Sequence, residues 1–303
     1  MFQATIDDVI NNFLRERVNN LSMFFDSDII TIFSPMSDGL DFRVRQYIED
    51  IADDRESNKT PSKDSLVVFL ETTGGSIEVV ERIVNIFRSH YTSVKFIIPG
   101  FAYSAGTVLV LSGDEIFMDG FSVLGPIDPQ IRNKDGDWMP ATGYLHEYRG
   151  LINTINEKSN SGAPATAEIN YLISSFFPEK LAFIEQHIEF SKNLIVDWLP
   201  KYKFKDWHST ETNSAPVTLE MKTDRALEIA RILGDVNRWH MHGRGIGLKE
   251  LASEEIKLKI NNFADDKELN IGIRMYYDVL KDYLLRTTGP FAIHGSRGLT
   301  RLN

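Results

Sequence analysis

Ser104 lies among small residues in the stretch Gly100-Phe101-Ala102-Tyr103-Ser104-Ala105-Gly106-Thr107. The apolar run before it, residues 94–98, predicts a short buried strand, and the apolar run after it ends at a glycine. A serine at a strand-to-helix turn has room for a substrate backbone and lies beside the free N–H groups of the incoming helix. A serine nucleophile needs both features. A packed serine in a tight core turn is the structural alternative.

A second glycine turn, Glu71-Thr72-Thr73-Gly74-Gly75-Ser76, follows the uninterrupted apolar run at 66–70. Such a run is typical of a parallel strand that is covered on both faces. Two adjacent glycines allow a sharp turn and the close approach of another backbone. Ser76 is a good N-cap, and helical spacing follows it, carried by Ile77, Val80, Ile83, Val84 and Phe87. An ordinary strand-to-helix turn is the alternative here.

The order strand, Gly-Gly, helix, strand, serine among small residues, helix resembles the Clp-protease/crotonase-like fold. Within it, the chain is most similar to the serine dehydrogenase proteinase (SDH) family of Clp-fold serine peptidases, which is related to signal peptide peptidase A. The resemblance runs roughly from residue 25 to 260. It is carried by Thr73-Gly74-Gly75-Ser76, Ala102-Tyr103-Ser104-Ala105-Gly106-Thr107, Leu124-Gly125-Pro126-Ile127-Asp128-Pro129-Gln130 and Trp239-His240-Met241-His242-Gly243-Arg244.

The resemblance implies the roles of three residues. Ser104 matches the nucleophile, and the backbone N–H groups of Ala105 and Gly75 match the oxyanion hole that binds the negative oxygen of the reacting carbonyl. The implied reaction is hydrolysis of peptide bonds through an acyl-enzyme on Ser104.

The general base stays open at this point. The position at which Clp peptidases place their histidine falls on Pro129, and residues 125–130 contain no histidine. Signal peptide peptidases use a lysine from a later segment, and Lys158 is the analogue by spacing, although a lysine beside polar residues is also typical of solvated surface. His242 has suitable proton-transfer chemistry, but a structural histidine is equally compatible with the pattern. Asp128 is interpreted as a turn residue. The alternative is that it orients the base.

Composition narrows the possible functions. The chain has 303 residues and a formal net charge of −10, which argues against a sequence-independent nucleic-acid binder. It has no cysteine, so disulfides, thiolate metal sites and a cysteine nucleophile are excluded. His240 and His242 without a third ligand are a weak metal signal, and we expect neither a metal nor a cofactor. We expect no membrane span, no signal peptide and a cytoplasmic location.

The predicted fold class is α/β, a Clp/crotonase-like spiral of βαβ units with a helical insertion at about 143–202 and a C-terminal helical appendage. The sequence predicts a peptidase domain over residues 1–261. It predicts an appendage over 262–303, whose last part, from residue 289, is expected to be a flexible tail. Residues 53–61 are expected to form a polar loop.

Three functions are compatible with these patterns. The first is a serine endopeptidase, a hydrolase acting on protein or peptide substrates. The alternative is a catalytically inactive Clp-fold scaffold or assembly subunit, which the missing Clp histidine favours. A crotonase-like acyl-CoA enzyme is a third possibility, but no adenine-binding signature supports it. Because Clp-fold relatives assemble, the resemblance also implies a homo-oligomer.

Overall fold

A computed structural model describes residues 5–132, 136, 138–210, 214–287 and 289–302. Its strands, in chain order, are β1 (Asp28–Phe33), β2 (Ser65–Glu71), β3 (Ser93–Ile97), β4 (Phe101–Ala102), β5 (Glu115–Met118), β6 (Val123–Leu124), β7 (Gln130–Arg132), β8 (Trp138–Pro140), β9 (Ile246–Gly247), β10 (Asn261–Asn262), β11 (Ala292–Gly295) and β12 (Gly298–Arg301). Its helices are α1 (Ile6–Phe25), α2 (Leu40–Asn58), α3 (Ile77–His90), α4 (Ala105–Leu111), α5 (Ala141–Asn160), α6 (Thr166–Ser175), α7 (Pro178–Lys201), α8 (Leu219–Leu233), α9 (Val236–Trp239), α10 (Leu248–Leu251) and α11 (Lys267–Arg286).

A seven-stranded sheet in the order β10-β5-β3-β2-β1-β11-β12 forms the centre of the molecule. The five strands from β10 to β1 are parallel, whereas β11 and β12 run antiparallel to their neighbours. Parallel neighbours need crossover connections, and α2 and α3 supply them between β1, β2 and β3. This mixed α/β architecture confirms the predicted α/β fold class.

The two faces of the sheet bury alternate residues of each strand, as the period of a strand requires. On β2, Leu66, Val68 and Leu70 pack into the larger core, with helices α2, α3, α4, α7 and α8. Val67 and Phe69 pack on the opposite face, against α1 and α11. Both faces are therefore covered, which explains the uninterrupted apolar run of β2.

A small second sheet, β4-β6-β9, lies beside the carboxyl ends of the central parallel strands. Phe101 and Ala102 pair in parallel with Val123 and Leu124, and Val123 and Leu124 pair antiparallel with residues 246–247. A single bridge between Thr72 and Ala102 joins the small sheet to the end of β2. This arrangement brings segments that are far apart in the sequence, around Thr72, Ala102, Leu124 and Ile246, to one edge of the central sheet.

The helical insertion consists of α5, α6 and α7, in agreement with the predicted helical region. Part of it forms a separate small apolar cluster, in which Ala141, Leu145 and Ile184 are buried with Ile131. The farther part of α7 returns to the main core through Leu194, Ile195, Trp198 and Leu199.

Two local predictions were wrong. Helix α2 continues to Asn58, so most of the predicted polar loop at 53–61 is helical. Residues 292–295 and 298–301 form a hairpin of two strands instead of a flexible tail, and β11 pairs with β1 in the central sheet. Backbone pairing to a sheet edge orders these residues despite their glycines and few apolar side chains.

Helix α11 packs against α1 and the sheet, and Ile273, Tyr276 and Leu280 are buried there. The C-terminal part of the chain thus shares an apolar core with the N-terminal helix. The division of the chain into domains at residue 261 stays a prediction. Within the described ranges, no helix is both long and apolar enough to cross a bilayer.

Candidate active site

Ser104 has an unusual backbone conformation, with φ 54° and ψ −121°. It lies between β4 and α4, which begins at the next residue, and its side chain is half-buried. Two hydrogen bonds hold the turn, from Gly106 N to Tyr103 O (2.8 Å) and from Thr107 N to Ser104 O (2.9 Å). A positive φ at a residue other than glycine costs free energy, and such strain is concentrated at functional sites.

The glycine turn after β2 lies directly against this serine. A methyl group added at Gly74 would lie 2.8 Å from Ser104 Cβ and 2.7 Å from the carbonyl oxygen of Tyr103. Gly74 and Gly75 have φ values of +93° and +143°, which glycine adopts without strain. Only glycine at position 74 therefore allows the two turns to approach this closely.

The backbone of Met36 fixes the orientation of Gly75. Met36 N donates to Gly74 O, and Ser76 N donates to Met36 O, each at 2.8 Å. These bonds leave the N–H of Gly75 without a hydrogen-bond partner among the described residues. The N–H of Ala105, the first residue of α4, likewise has no such partner. Two unused donors are thus present, one on the residue after Ser104 and one on the residue after Gly74, which packs against Ser104.

Asp128 and His242 form a pair in which Asp128 Oδ1 lies 2.8 Å from His242 Nδ1. The Asp128 side chain is almost fully buried, whereas the ring of His242 is partly exposed. Gln130 Nε2 makes a longer contact, 3.4 Å, with the other carboxylate oxygen. With Nδ1 facing a carboxylate, the neutral imidazole carries its proton there, which leaves Nε2 free to accept one.

The topology of the small sheet places this pair at the same edge as Ser104. Ser104 follows the carboxyl end of β4, and Asp128 follows the carboxyl end of the parallel strand β6. His242 precedes β9, which is antiparallel to β6, so its entry into the sheet lies at that edge as well. Ser104, Asp128 and His242 therefore lie at the same end of the three paired strands.

Thr107 connects the serine turn, through hydrogen bonds of its hydroxyl group, to the segment that contains Asp128. Its Oγ1 lies 2.9 Å from the carbonyl oxygen of Ala102 and 2.8 Å from that of Gly125, and it accepts a hydrogen bond from Gly125 N (3.0 Å). Gly125 also packs on Tyr103, since a methyl group added there would lie 3.0 Å from Tyr103 Cα. The sequence interpretation did not assign Thr107 a role, although the residue stands inside the quoted serine motif.

Lys158 lies in the last turn of α5, where its Nζ pairs with Glu168 Oε1 at 2.6 Å. That hydrogen bond holds the pKa of the Glu168 carboxyl below its usual value. Lys158 is thus engaged in an ion pair within the helical insertion, and it makes no hydrogen bond to Ser104.

His242 also makes no hydrogen bond to Ser104 in this single chain. The identity of the base therefore stays a prediction. Catalytic hydrogen bonds are often long in the absence of substrate, and they tighten only when the complex forms.

The other candidates have different surroundings. Asp235 caps α9 by accepting a hydrogen bond from Asn237 N, and His240 is exposed. Burial lowers the pKa of Lys203 to about 8, as a lysine base would need. However, Lys203 contacts the backbone of Asp114, which precedes β5 and so lies at the amino end of the parallel sheet, opposite the serine.

Two relatives of this chain are found among known protein sequences. In Methanocaldococcus jannaschii, the uncharacterized protein MJ0137 is 33% identical to this chain over 180 residues, which cover 58% of this chain and 57% of that protein. A second uncharacterized protein of the same organism, MJ1495, is 36% identical over 89 residues, or 29% of each chain. The match thus spans little more than half of one relative and under a third of the other.

Among solved structures, a mutant of the 1510-N membrane-bound stomatin-specific protease, in complex with a substrate peptide, is similar with a TM-score of 0.31 and 19% identity. The similarity covers 62% of this chain and 84% of the protease. Residues 42–151 match the family described as ClpP-like SDH-type serine proteinase, and this segment includes Gly75, Ser104, Ala105 and Asp128. The resemblance predicted from the motifs is thereby confirmed, and residues 42–151 are the part of the chain that matches the ClpP-like SDH-type serine proteinases.

Proposed function

We propose that this protein is a serine peptidase that hydrolyses peptide bonds through an acyl-enzyme on Ser104. The observation that carries the proposal is the geometry around Ser104. Ser104 is half-buried in a strained turn that packs against Gly74, and the N–H groups of the adjacent residues Ala105 and Gly75 have no partner among the described residues. The family match of residues 42–151 supports the same assignment.

In the proposed reaction, Ser104 Oγ attacks the carbonyl carbon of the substrate and loses its proton to a base. The N–H groups of Gly75 and Ala105 donate to the oxygen, on which negative charge develops. The base then protonates the leaving amine, and water hydrolyses the ester formed with Ser104.

Of the two candidate bases, we favour His242, with Asp128 as the residue that orients it. Lys158 Nζ is engaged in an ion pair with Glu168 at 2.6 Å within the helical insertion, and it makes no hydrogen bond to Ser104. His242 has a free Nε2, and its Nδ1 is held by a buried carboxylate, the arrangement that serine peptidases use. The proposal requires Nε2 to reach Ser104 Oγ when substrate binds, within one chain or across a contact between copies.

Turnover of casein by the purified full chain tests the proposed function. Ser104→Ala removes the acyl acceptor and is expected to abolish turnover while leaving the circular dichroism spectrum unchanged. Turnover that persists in the Ser104→Ala variant would contradict the assignment of the nucleophile.

A non-catalytic scaffold or assembly subunit is the second candidate function. The observation that favours it is that neither His242 nor Lys158 forms a hydrogen bond to Ser104. A scaffold would leave casein intact in the wild-type chain, at every pH tested, while the chain remains folded.

Self-association is part of the proposal for either function. Helix α6 has no buried residue, and apolar side chains are exposed along it and at the start of α7, among them Ile169, Tyr171, Ile173 and Phe177. A second copy of the chain would cover such a surface. We expect light scattering to give a mass above that of one chain, and Ile173→Glu to lower it. The cytoplasmic location stays a prediction.

A further inference from the structure

A cavity of about 100 Å³ lies between the ends of β1 and β2 and the C-terminal part of the chain. Its walls are mainly apolar, with Phe33 and Phe101 on one side and Leu284, Leu285 and Phe291 on the other. Leu284 is buried, whereas Leu285 and Phe291 stand at the rim with 68% and 41% of their surfaces exposed.

The wall of the cavity includes residues that are close in sequence to the proposed active site. Thr73, which precedes the glycine turn, lines it, as does Phe101 of β4. The ring of Phe101 stacks on that of Tyr103, with centroids 5.1 Å apart and an angle of 25° between the planes. Because Tyr103 is the residue next to Ser104, this stacked pair connects the cavity wall to the serine turn.

The charged groups of the cavity wall are paired with each other. Lys281 Nζ contacts Glu71 Oε1 at 2.9 Å, Glu71 Oε2 at 3.0 Å and the hydroxyl of Tyr277 at 2.8 Å. The contacts to Glu71 Oε2 and to Tyr277 are hydrogen bonds, and Oε1 of the same carboxylate completes the ion pair. Tyr277 in turn donates to Glu71. The cluster offers no free charge to a ligand, so the cavity suits an apolar group.

We infer that this cavity is a specificity pocket for an apolar side chain of the peptide substrate. The inference rests on the proposed function, since it places that side chain relative to the bond that Ser104 cleaves. Thr73 and Gly75 are two residues apart, and an extended chain rises about 3.3 Å per residue. A substrate held at Gly75 and extended along this segment reaches the pocket two or three residues from the cleaved bond.

The test is the cleavage of a positional library of quenched fluorescent nonapeptides, with the cleaved bonds located by mass spectrometry. The wild-type chain is expected to prefer leucine or phenylalanine over aspartate, by about tenfold or more in kcat/KM, two or three residues from the cleaved bond, because burying one apolar side chain is worth that factor. Leu285→Glu is expected to lower cleavage of leucine peptides and raise that of lysine peptides. Leu285→Lys is expected to favour glutamate peptides instead.

Leu219→Glu is the matched control, because Leu219 is 71% exposed on α8 and does not line the cavity. It is expected to keep the wild-type preference. All three variants change exposed residues, so their melting temperatures are expected to match the wild type. Serine-dependent cleavage without an apolar preference at that position, or a preference that neither Leu285 variant changes, would overturn the inference.

Failure of the proposed function would give a different result, namely no cleavage that depends on Ser104. In that case the Kd values of dye-labelled leucine and aspartate peptides, measured by fluorescence anisotropy, test the pocket alone. The pocket predicts about tenfold tighter binding of the leucine peptide, and loss of this difference in Leu285→Glu. Equal Kd values would overturn the pocket assignment.

Discussion

The carboxylate of Asp128 and the imidazole of His242 lie 2.8 Å apart, although 114 positions separate the two residues in the chain. The sheet β4-β6-β9 creates this proximity, because Asp128 follows one of its strands and His242 precedes the next. A buried carboxylate at Nδ1 fixes both the orientation of the ring and the position of its proton. The pair is therefore suited to accept a proton at Nε2.

The first prediction separates the two candidate bases. His242→Ala is expected to lower kcat/KM by about 10²–10⁴-fold, because general-base catalysis contributes that factor. Lys158→Ala is expected to leave it within about twofold, since Lys158 pairs with Glu168. Asp128→Asn is also expected to lower kcat/KM.

The pH profile provides a second readout for the same prediction. A histidine base accepts a proton only in its neutral form, so wild-type activity is expected to rise with pH, and the residual activity of His242→Ala is expected to lose that rise. Full activity in His242→Ala together with its loss in Lys158→Ala would assign the base to the lysine. Full activity in both variants would place the base elsewhere in the chain or on a neighbouring subunit.

Ser104 is expected to reduce the stability of the fold. Because its backbone adopts φ 54° and ψ −121°, a conformation open to glycine but strained for other residues, Ser104→Gly relieves strain that Ser104→Ala retains. We expect Ser104→Gly to unfold at higher urea concentration than Ser104→Ala, by a free energy of about 1 kcal/mol. Both variants are expected to lack peptidase activity. Equal or lower stability of the glycine variant would show that the turn is not strained.

Gly75 is expected to be intolerant of any side chain. A Cβ at this position would lie 2.5 Å from the carbonyl oxygen of Met36, and the φ of +143° is unfavourable for alanine. Gly75→Ala is expected to destabilise the chain by about 2 kcal/mol or more in urea unfolding. Gly143→Ala, in helix α5 with open space around it, is the control and is expected to stabilise by about 0.5–1 kcal/mol. A Gly75→Ala protein as stable as the wild type would contradict this account of the turn.

His294 makes stability depend on pH. It is buried on β11, its Nδ1 lies 2.7 Å from the Tyr276 hydroxyl, and burial lowers its pKa to about 4. The unfolded chain binds a proton at this residue near pH 6.5, so between about pH 6.5 and 4 the unfolded state holds more protons than the folded state. The contribution of His294 to the free energy of unfolding is fully present above that pH range, and it is lost as the pH falls through the range.

Urea unfolding of the wild type and of His294→Gln between pH 7.5 and 4.5 measures this effect. The fall of the unfolding free energy on acidification is expected to be smaller in His294→Gln, by a few kcal/mol over the range. His90→Gln, which changes an exposed histidine, is expected to keep the wild-type slope. Parallel slopes for wild type and His294→Gln would contradict the prediction.

Much of the fold was predictable from local patterns. The uninterrupted apolar run of β2, the N-cap at Ser76 and the helical spacing after it predicted a βαβ unit, because each pattern follows from burial in one element. The hairpin at 292–301 was not predictable in this way. Its order comes from pairing with β1, nearly the whole length of the chain away.

In the candidate site, too, local features were predictable from the sequence and long-range contacts were not. Ser104 and the glycine turn were found from the sequence because their residue types are restricted by local backbone conformation. The pairing of Asp128 with His242 depends on how β6 and β9 meet, which no local pattern contains. The sequence analysis interpreted Asp128 as a turn residue, with the orientation of a base as the alternative, and it did not identify His242 as the partner of Asp128.

Labelling with a fluorescent fluorophosphonate tests the central claim most directly, because the reagent reacts only with an activated serine. We predict that the wild-type chain becomes labelled at Ser104, as located by mass spectrometry of the digested protein. We predict further that Ser104→Ala abolishes the label and that His242→Ala slows it at least tenfold. No labelling of a folded wild-type chain, or equal labelling of Ser104→Ala, would contradict the assignment of Ser104 as a peptidase nucleophile.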